Sequence, residues 1–534
     1  MPQSRYPQFT WQQTKPGHWE REIDEAERFY TCLAKSYEGS GRMYFVITGF
    51  VSVSVDITNG SSGHDVEEAL RKAWLKLRYK YPTIASRVDY DKEKTTYIKS
   101  YTAFDPNHID FHIKSWLSET FVTITPNMTG LDWCNSDPLA PEFPIRQLFV
   151  GTSSFDHRTT SVGLLGLERE NAADHLPKVD GIGTLQLLNK LLEYAAQYHT
   201  LPSSFVLPSP GEEAQYLSPP LRVAAAIPPI LTLDQQEHLQ SMISRNARLR
   251  QDTELLTIPF TRGEVIPGKH QRTALALSTA DTARVLQGCK ELDATVTHAY
   301  HAGIALLLRD LAPSRPQKRT ARYVNYCLIN ERPNCLTPYN STDHAAAVYH
   351  SVSGNSLTLD FTVPSDVDRS DKNLPNEQDA RAEFRNTVHR VRDFYTSVRN
   401  DPDNLTLAPS FWSMGTPHLP SPGSKTSLDT PVPAPNPSPS VSISSMGKLD
   451  SMIAPQHGVF SAKDPWVTGE ELSTGIGVFL STWQGRLQLS AAYNEAWHDS
   501  EEVRGFLEEC SGIVWKGVGL GDGSDGEPKI EWVH

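Results

Sequence analysis

Long apolar runs are missing from this chain of 534 residues; no stretch approaches the roughly 18 consecutive apolar residues that a membrane-spanning helix needs. Basic charge is scarce too. Lys and Arg number 50 against 63 Asp and Glu, a net charge of −13, which argues against the basic face of a nucleic-acid binder or of a protein lying on an anionic membrane. Cysteine is sparse. Cys32, Cys134, Cys289, Cys327, Cys335 and Cys510 are scattered, with no C-x-x-C and no Cys/His cluster at zinc spacing. The opening MPQSRYPQFTWQQTKPGHW has no apolar h-region, so no secretory leader is expected. The thiols are therefore predicted to be free and buried, and the protein cytoplasmic. In that compartment the N-x-S/T sequons at Asn59, Asn127, Asn340 and Asn404 mean nothing.

Several chemistries also lack a starting point. There is no G-x-x-x-x-G-K-[ST], no G-x-G-x-x-G after a strand, no G-x-S-x-G and no H-E-x-x-H. No repeat of solenoid or propeller period is visible.

What is present is a chain with 38% hydrophobic residues, enough for a packed core. Its length suits two to four units at roughly 100–200 residues each. Elements alternate irregularly, which predicts an α/β protein with mixed sheets. Tyr44–Val55 alternates β-branched and aromatic residues with Thr, Gly and Ser, and predicts a strand. Asp65–Tyr81 predicts an amphipathic helix with Val66, Leu70, Ala73, Trp74 and Leu77 on one face, stopped by Pro82. Ser161–Leu167 reads as a buried strand and Thr184–Ala196 as a helix. The Pro-rich stretch from Leu201 to Pro220 marks a crossing. Beyond it, Ala294–Leu308 predicts a buried helix, Arg322–Asn330 a strand, and Glu377–Tyr395 a helix. Thr416–Ser440 is Pro/Ser-rich and predicts a flexible loop. Order is expected to resume at Val441–Ile443, with a hairpin from Ile476–Trp483 and Arg486–Tyr493 around Gln484-Gly485, then a helix over Glu501–Trp515. The expected division is 1–215, 216–516 with the 416–440 loop, and a frayed tail over 517–534.

One segment carries a chemical idea. Asn171–Gly183, N-A-A-D-H-L-P-K-V-D-G-I-G, lies between a predicted strand and a predicted helix. It resembles the H-x-x-x-D-G signature of the chloramphenicol-acetyltransferase-like superfamily. VEEALRKAWLKLRYKYPTIASRV is similar to that family's early helix and its exit. LSTADTARVLQGCKELDATVTHAYHAGIALLL, YVNYCLINERPNCL, VSISSMGKLD and STWQGRLQLSAAYNEAWHDSEEVRGFLEEC follow in the family's order. The opening from Trp19 to Tyr30 looks most like the fungal trichothecene 15-O-acetyltransferases and related secondary-metabolite O-acetyltransferases. The resemblance implies two chloramphenicol-acetyltransferase-like subdomains around a central channel. Acyl-CoA, acetyl-CoA first, would be the co-substrate, and a small-molecule hydroxyl of a fungal secondary metabolite the acceptor. No permanently bound cofactor or metal, no nucleic acid and no membrane are implied, and a monomer suffices. In the family a His takes the acceptor's proton while the Asp pairs with an Arg. That carries over to His175 as base, Asp180 and Gly181 in the motif, and Arg332 beside Asn330 as the pairing partner.

One departure matters. The family's catalytic His stands four residues before the Asp, and here that position is Leu176, with His175 one residue earlier and Pro177 after it. Two readings stay open: His175 serves as base from a longer loop, or the chain is an impaired homologue that binds a metabolite or partner. A condensation-type protein using a carrier partner is a third. Some residues have bland readings beside the functional one. His298 and His301 could suggest a metal but lack a third ligand and read as helix histidines. Thr482 and Trp483 end a strand where the family often places a hydroxyl near the oxyanion, and Ser444 and Ser445 are weaker candidates of the same kind.

Overall fold

Ile47–Val55, within the predicted Tyr44–Val55 strand, stands inside a sheet whose order is Gln456–His457, Phe460–Gly469, Ile47–Val55, Thr159–Leu165, Gln147–Thr152, Phe121–Ile124. The computed structural model describes residues 6–37, 40, 47–55, 63–124, 129–136, 147–152, 159–165, 179–251, 253–370, 377–419, 432–521 and 526–533. The helices Gly63–Lys80 and Gly181–Thr200 pack on one another, and the second lies on Ile47–Val55. Their contact is the periodic apolar face of the sequence: Leu70, Ala73 and Leu77 meet Leu185, Leu188 and Leu192 in one buried cluster with Val51 and Val53. Glu67 pairs with Arg71 at 2.7 Å and Glu68 with Lys72 at 3.4 Å on the outer face. Pro82 opens a short 3-10 turn and the helix ends before it.

A second sheet runs Val441–Lys448, Ile476–Trp483, Arg486–Asn494, His270–Leu277, Ile530–Trp532. The helices Val296–Leu311 and Ser500–Gly517 pack against each other, and the latter against this sheet, through Leu307, Leu308, Leu507 and Val514. The hairpin stands as expected, with Gln484 at φ 45° and Gly485 at φ 76°, the double positive φ of a two-residue turn that matches strand twist.

Three expectations change. The Arg322–Asn330 run is two strands, Arg319–Asn325 and Leu328–Asn330, in different sheets. The break follows from Asn325, whose side chain donates to the Val441 carbonyl and accepts from the Tyr326 N–H, diverting the backbone from a continuing ladder. The tail expected to fray contains Ile530–Trp532, which pairs with Leu275–Leu277. Of the 416–440 loop, residues 420–431 lie outside those described. Its end is held, since Val432 packs on Tyr37 and Leu472, and the Asn436 carbonyl accepts from the Thr474 hydroxyl. The two halves also share a sheet: Phe460–Gly469, from the later segment, pairs antiparallel with Ile47–Val55. All six cysteines are free and buried.

Candidate functional site

Asp180 caps the Gly181–Thr200 helix from an extended conformation, its Oδ1 accepting from the Gly183 N–H at 2.8 Å. Its other oxygen, Oδ2, accepts from Arg332 Nη1 at 2.7 Å and from the Tyr349 N–H at 2.9 Å. Burial by itself pushes the Asp180 carboxyl up, but the Arg332 charge and the hydrogen bonds to the carboxylate outweigh it and hold it well below the usual carboxylate range. Arg332 reaches it from the short turn Arg332–Asn334. There the Asn330 Oδ1 accepts from the Arg332 N–H at 3.2 Å, and Nη2 donates to the Ala345 and Ala347 carbonyls. Two segments far apart in sequence are thus clamped at one point.

Glycine at 183 is dictated by that clamp. A Cβ there would lie 2.2 Å from the Ala345 carbonyl oxygen and 2.9 Å from Arg332 Nη2. The motif glycine Gly181 is less confined, its nearest neighbour being the flexible Met446 Cε at 3.1 Å.

The clamp forms one wall of a cavity of about 880 Å³ lined from both sheets. Asp180, Gly181, Asn330 and Arg332 are all on its lining, so four sequence-predicted residues converge. Residue 175 lies outside the described residues, as do Leu176 and Pro177. Thr482 and Trp483 are elsewhere. Thr482 is paired with Leu487 beside the hairpin turn, and Trp483 is 3% exposed in the core of the first sheet. Their strand presents Gly477 and Phe479 to the cavity instead. Ser444 and Ser445 do line it, with the Ser445 and Thr297 hydroxyls 2.8 Å apart.

His298 and His301 each make one hydrogen-bond contact in their helix region; among the described residues no third ligand joins them, and His301 Nε2 is buried without a partner. The Thr295 N–H donates to His298 Nδ1 at 3.2 Å, and His301 Nδ1 lies 3.2 Å from the Tyr395 hydroxyl. Burial holds the two imidazoles neutral, pushed down to about 4 and about 3. His238, Asp401 and Asp403 bring ligand atoms close together among the described residues. There His238 Nδ1 stands 3.4 Å from Asp403, whose other oxygen accepts from Gln235, an arrangement complete without an ion.

Sequence reasoning missed His350 and Tyr30. Both line the cavity, His350 Nε2 lies 2.6 Å from the Tyr30 hydroxyl, and His350 Nδ1 stands 3.8 Å from Asp180 Oδ2. Tyr30 closes the W-to-Y opening segment, the one signal available. His350 sits in no motif.

No protein-family model matches the chain. It is 25% identical over 341 residues to O-acetyltransferase pigM of Monascus ruber, a match covering 64% of this chain and 60% of that protein, less than two thirds of its length. It is 24% identical over 510 residues to azaphilone biosynthesis cluster protein M of Aspergillus terreus, covering 94% and 97%. Among solved structures, the trichothecene 15-O-acetyltransferase of Fusarium sporotrichioides superposes with a TM-score of 0.74 at 14% identity, covering 97% of this chain and 100% of that one. The fold is shared across the whole chain.

Proposed function

We propose, from its chloramphenicol-acetyltransferase-like fold and its similarity to fungal secondary-metabolite acetyltransferases, that this protein is an acyl-CoA-dependent O-acyltransferase. The donor is acetyl-CoA and the acceptor a hydroxyl of a fungal secondary metabolite, a trichothecene-type sesquiterpenoid or an azaphilone. The observation that carries the reading is the buried Asp180–Arg332 pair at the start of a helix beside a cavity lined from both sheets. Such a clamp holds Asp180 and the start of the Gly181–Thr200 helix at the cavity.

Transfer is direct within a ternary complex. A thioester is already activated, so one proton acceptor suffices; the candidate is His175, one residue before the family's His position at Leu176. A covalent acyl-enzyme has little support, since burial pushes the Cys327 thiol up to about 11 and Cys335 up to about 12. The protein works as a cytoplasmic monomer, with its segments 1–215 and 216–516 forming the two subdomains. No helix among the described residues is long and apolar enough to cross a membrane.

The test is thiol release. Purified protein, acetyl-CoA and a panel of sesquiterpenoid and azaphilone alcohols are mixed, and free CoA is followed with a thiol reagent. Acceptor-dependent release supports the reading. Tight acetyl-CoA binding without release on any acceptor favours the second reading, a binding homologue, which rests on Leu176 at the family's His position.

A further inference from the structure

His350 begins the strand His350–Val352 and is directly paired with Asn330 on the neighbouring strand, which sets its imidazole beside the Asp180–Arg332 clamp. Two aromatic rings hold it. The Trp412 ring meets it edge-on at 5.6 Å and 85°, and the Tyr30 ring lies 5.6 Å away. Its side chain keeps 17% exposure and faces the cavity. Most histidines so enclosed are mere hydrogen-bond partners. This one has a carboxylate on one nitrogen and a cavity-lining phenol on the other.

The partners decide the tautomer. The Tyr30 hydroxyl lies 2.6 Å from His350 Nε2, and burial raises the phenol well above its ordinary value, so it keeps its proton. With the Nδ1–H turned toward Asp180 Oδ2, 3.8 Å away, Nε2 is the nitrogen free to accept from the Tyr30 O–H, and this is the tautomer the transfer uses. A proton arriving at Nε2 would create an imidazolium beside that carboxylate. Arg332 already shares that carboxylate's charge.

We infer that His350, working through the Tyr30 hydroxyl, takes the proton of the acceptor alcohol in this cavity. The inference rests on the acyl-transfer reading. The acceptor oxygen attacks the thioester carbonyl as its proton passes to Tyr30 Oη and the Tyr30 proton passes to His350 Nε2. The tetrahedral adduct collapses, the C–S bond breaks, and the CoA thiolate recovers the proton along the same line. Alcohol and acyl-CoA go in; ester and CoA thiol come out. Tyr30 would touch the acceptor, and His350 would position and drain it.

The experiment measures CoA release with an acceptor that the wild-type protein acylates. His350→Gln keeps a hydrogen-bond partner for Tyr30 and is expected to lower kcat by about a hundredfold with little change in KM, within the usual span for losing a proton-transfer group. Tyr30→Phe is expected to do the same. Added imidazole should restore part of the rate of His350→Ala, which a merely structural histidine would not allow. Thermal melting and acetyl-CoA binding of each variant verify folding. Release unchanged in His350→Gln, or His350→Ala that imidazole does not rescue, overturns the inference alone. No release from the wild-type protein on any acceptor overturns the acyl-transfer reading, and the inference falls with it.

Discussion

Arg332 Nη1 lies 2.7 Å from Asp180 Oδ2 across a sequence separation of 152 residues, and both side chains are buried. This contact fastens the start of the Gly181–Thr200 helix to the turn that follows Leu328–Asn330, and so draws cavity walls from two segments together. An ion pair in such a place adds modest net stability when complete. It becomes costly when halved, because the remaining charge is left without a partner or water.

Arg332→Ala should therefore be far more damaging than its charge suggests. The expected loss is about 3–5 kcal/mol for an uncompensated buried carboxylate, read as a fall in the denaturant midpoint. A loss under about 1 kcal/mol, the range of a surface ion pair, would show that water reaches Asp180.

Glycine 183 and glycine 181 should part company. Alanine is ordinarily the better helix former by about 1 kcal/mol, yet at 183 its Cβ would press on the Ala345 carbonyl and the Arg332 guanidinium. Gly183→Ala is expected to lower the melting temperature markedly and to cut CoA release. Gly181→Ala, meeting the flexible end of Met446 at 3.1 Å and Val467 Cγ1 at an ordinary 3.5 Å, should fold with near-normal stability. Equal melting temperatures for the two variants would refute the close approach.

Asp24 offers a pH test with a definite sign. Burial, with Glu27 and Glu25 adding repulsion, pushes its carboxyl up to about 7 from an ordinary 3.8. A raised folded value means that stability is full below the unfolded value and is lost as pH climbs from about 4 to about 7. Asp24 also caps the Glu25–Ser36 helix by accepting from the Glu27 N–H at 3.0 Å, and Asn caps equally well. Asp24→Asn should therefore raise the melting temperature at pH 8 by clearly more than at pH 5, where only about a third of the window has been crossed. A gain of equal size at both values would contradict the assignment.

The cavity itself can be filled. Gly477 lines it, and a Cβ there finds only ordinary contacts at 3.7 Å or more. Gly477→Phe is expected to raise KM for acceptor or acetyl-CoA by about tenfold, some 1.4 kcal/mol, with the melting temperature preserved. An unaltered KM for both substrates would place binding elsewhere.

Much of this protein is local physics. The 3.6-residue apolar period of Val66, Leu70, Ala73 and Leu77, the stop at Pro82 and the Gln484-Gly485 turn depend on neighbours in the chain, so the sequence alone determines them. Asp180, Asn330 and Arg332 are legible through the resemblance of the D-G and N-E-R-P segments to the family's motifs rather than from local physics. Tertiary structure decided what no window of sequence contains. Phe460–Gly469 pairs with Ile47–Val55 in the sheet of the opening segment, because its apolar residues find their partners there. Arg322–Asn330 breaks because Asn325 meets Val441, and Trp483 leaves the cavity for the core. Tyr30 and His350, 320 residues apart, come together only when the Glu25–Ser36 helix and the strand His350–Val352 are packed around one cavity. A lone tyrosine and a lone histidine carry no periodicity, so nothing in the sequence could pair them.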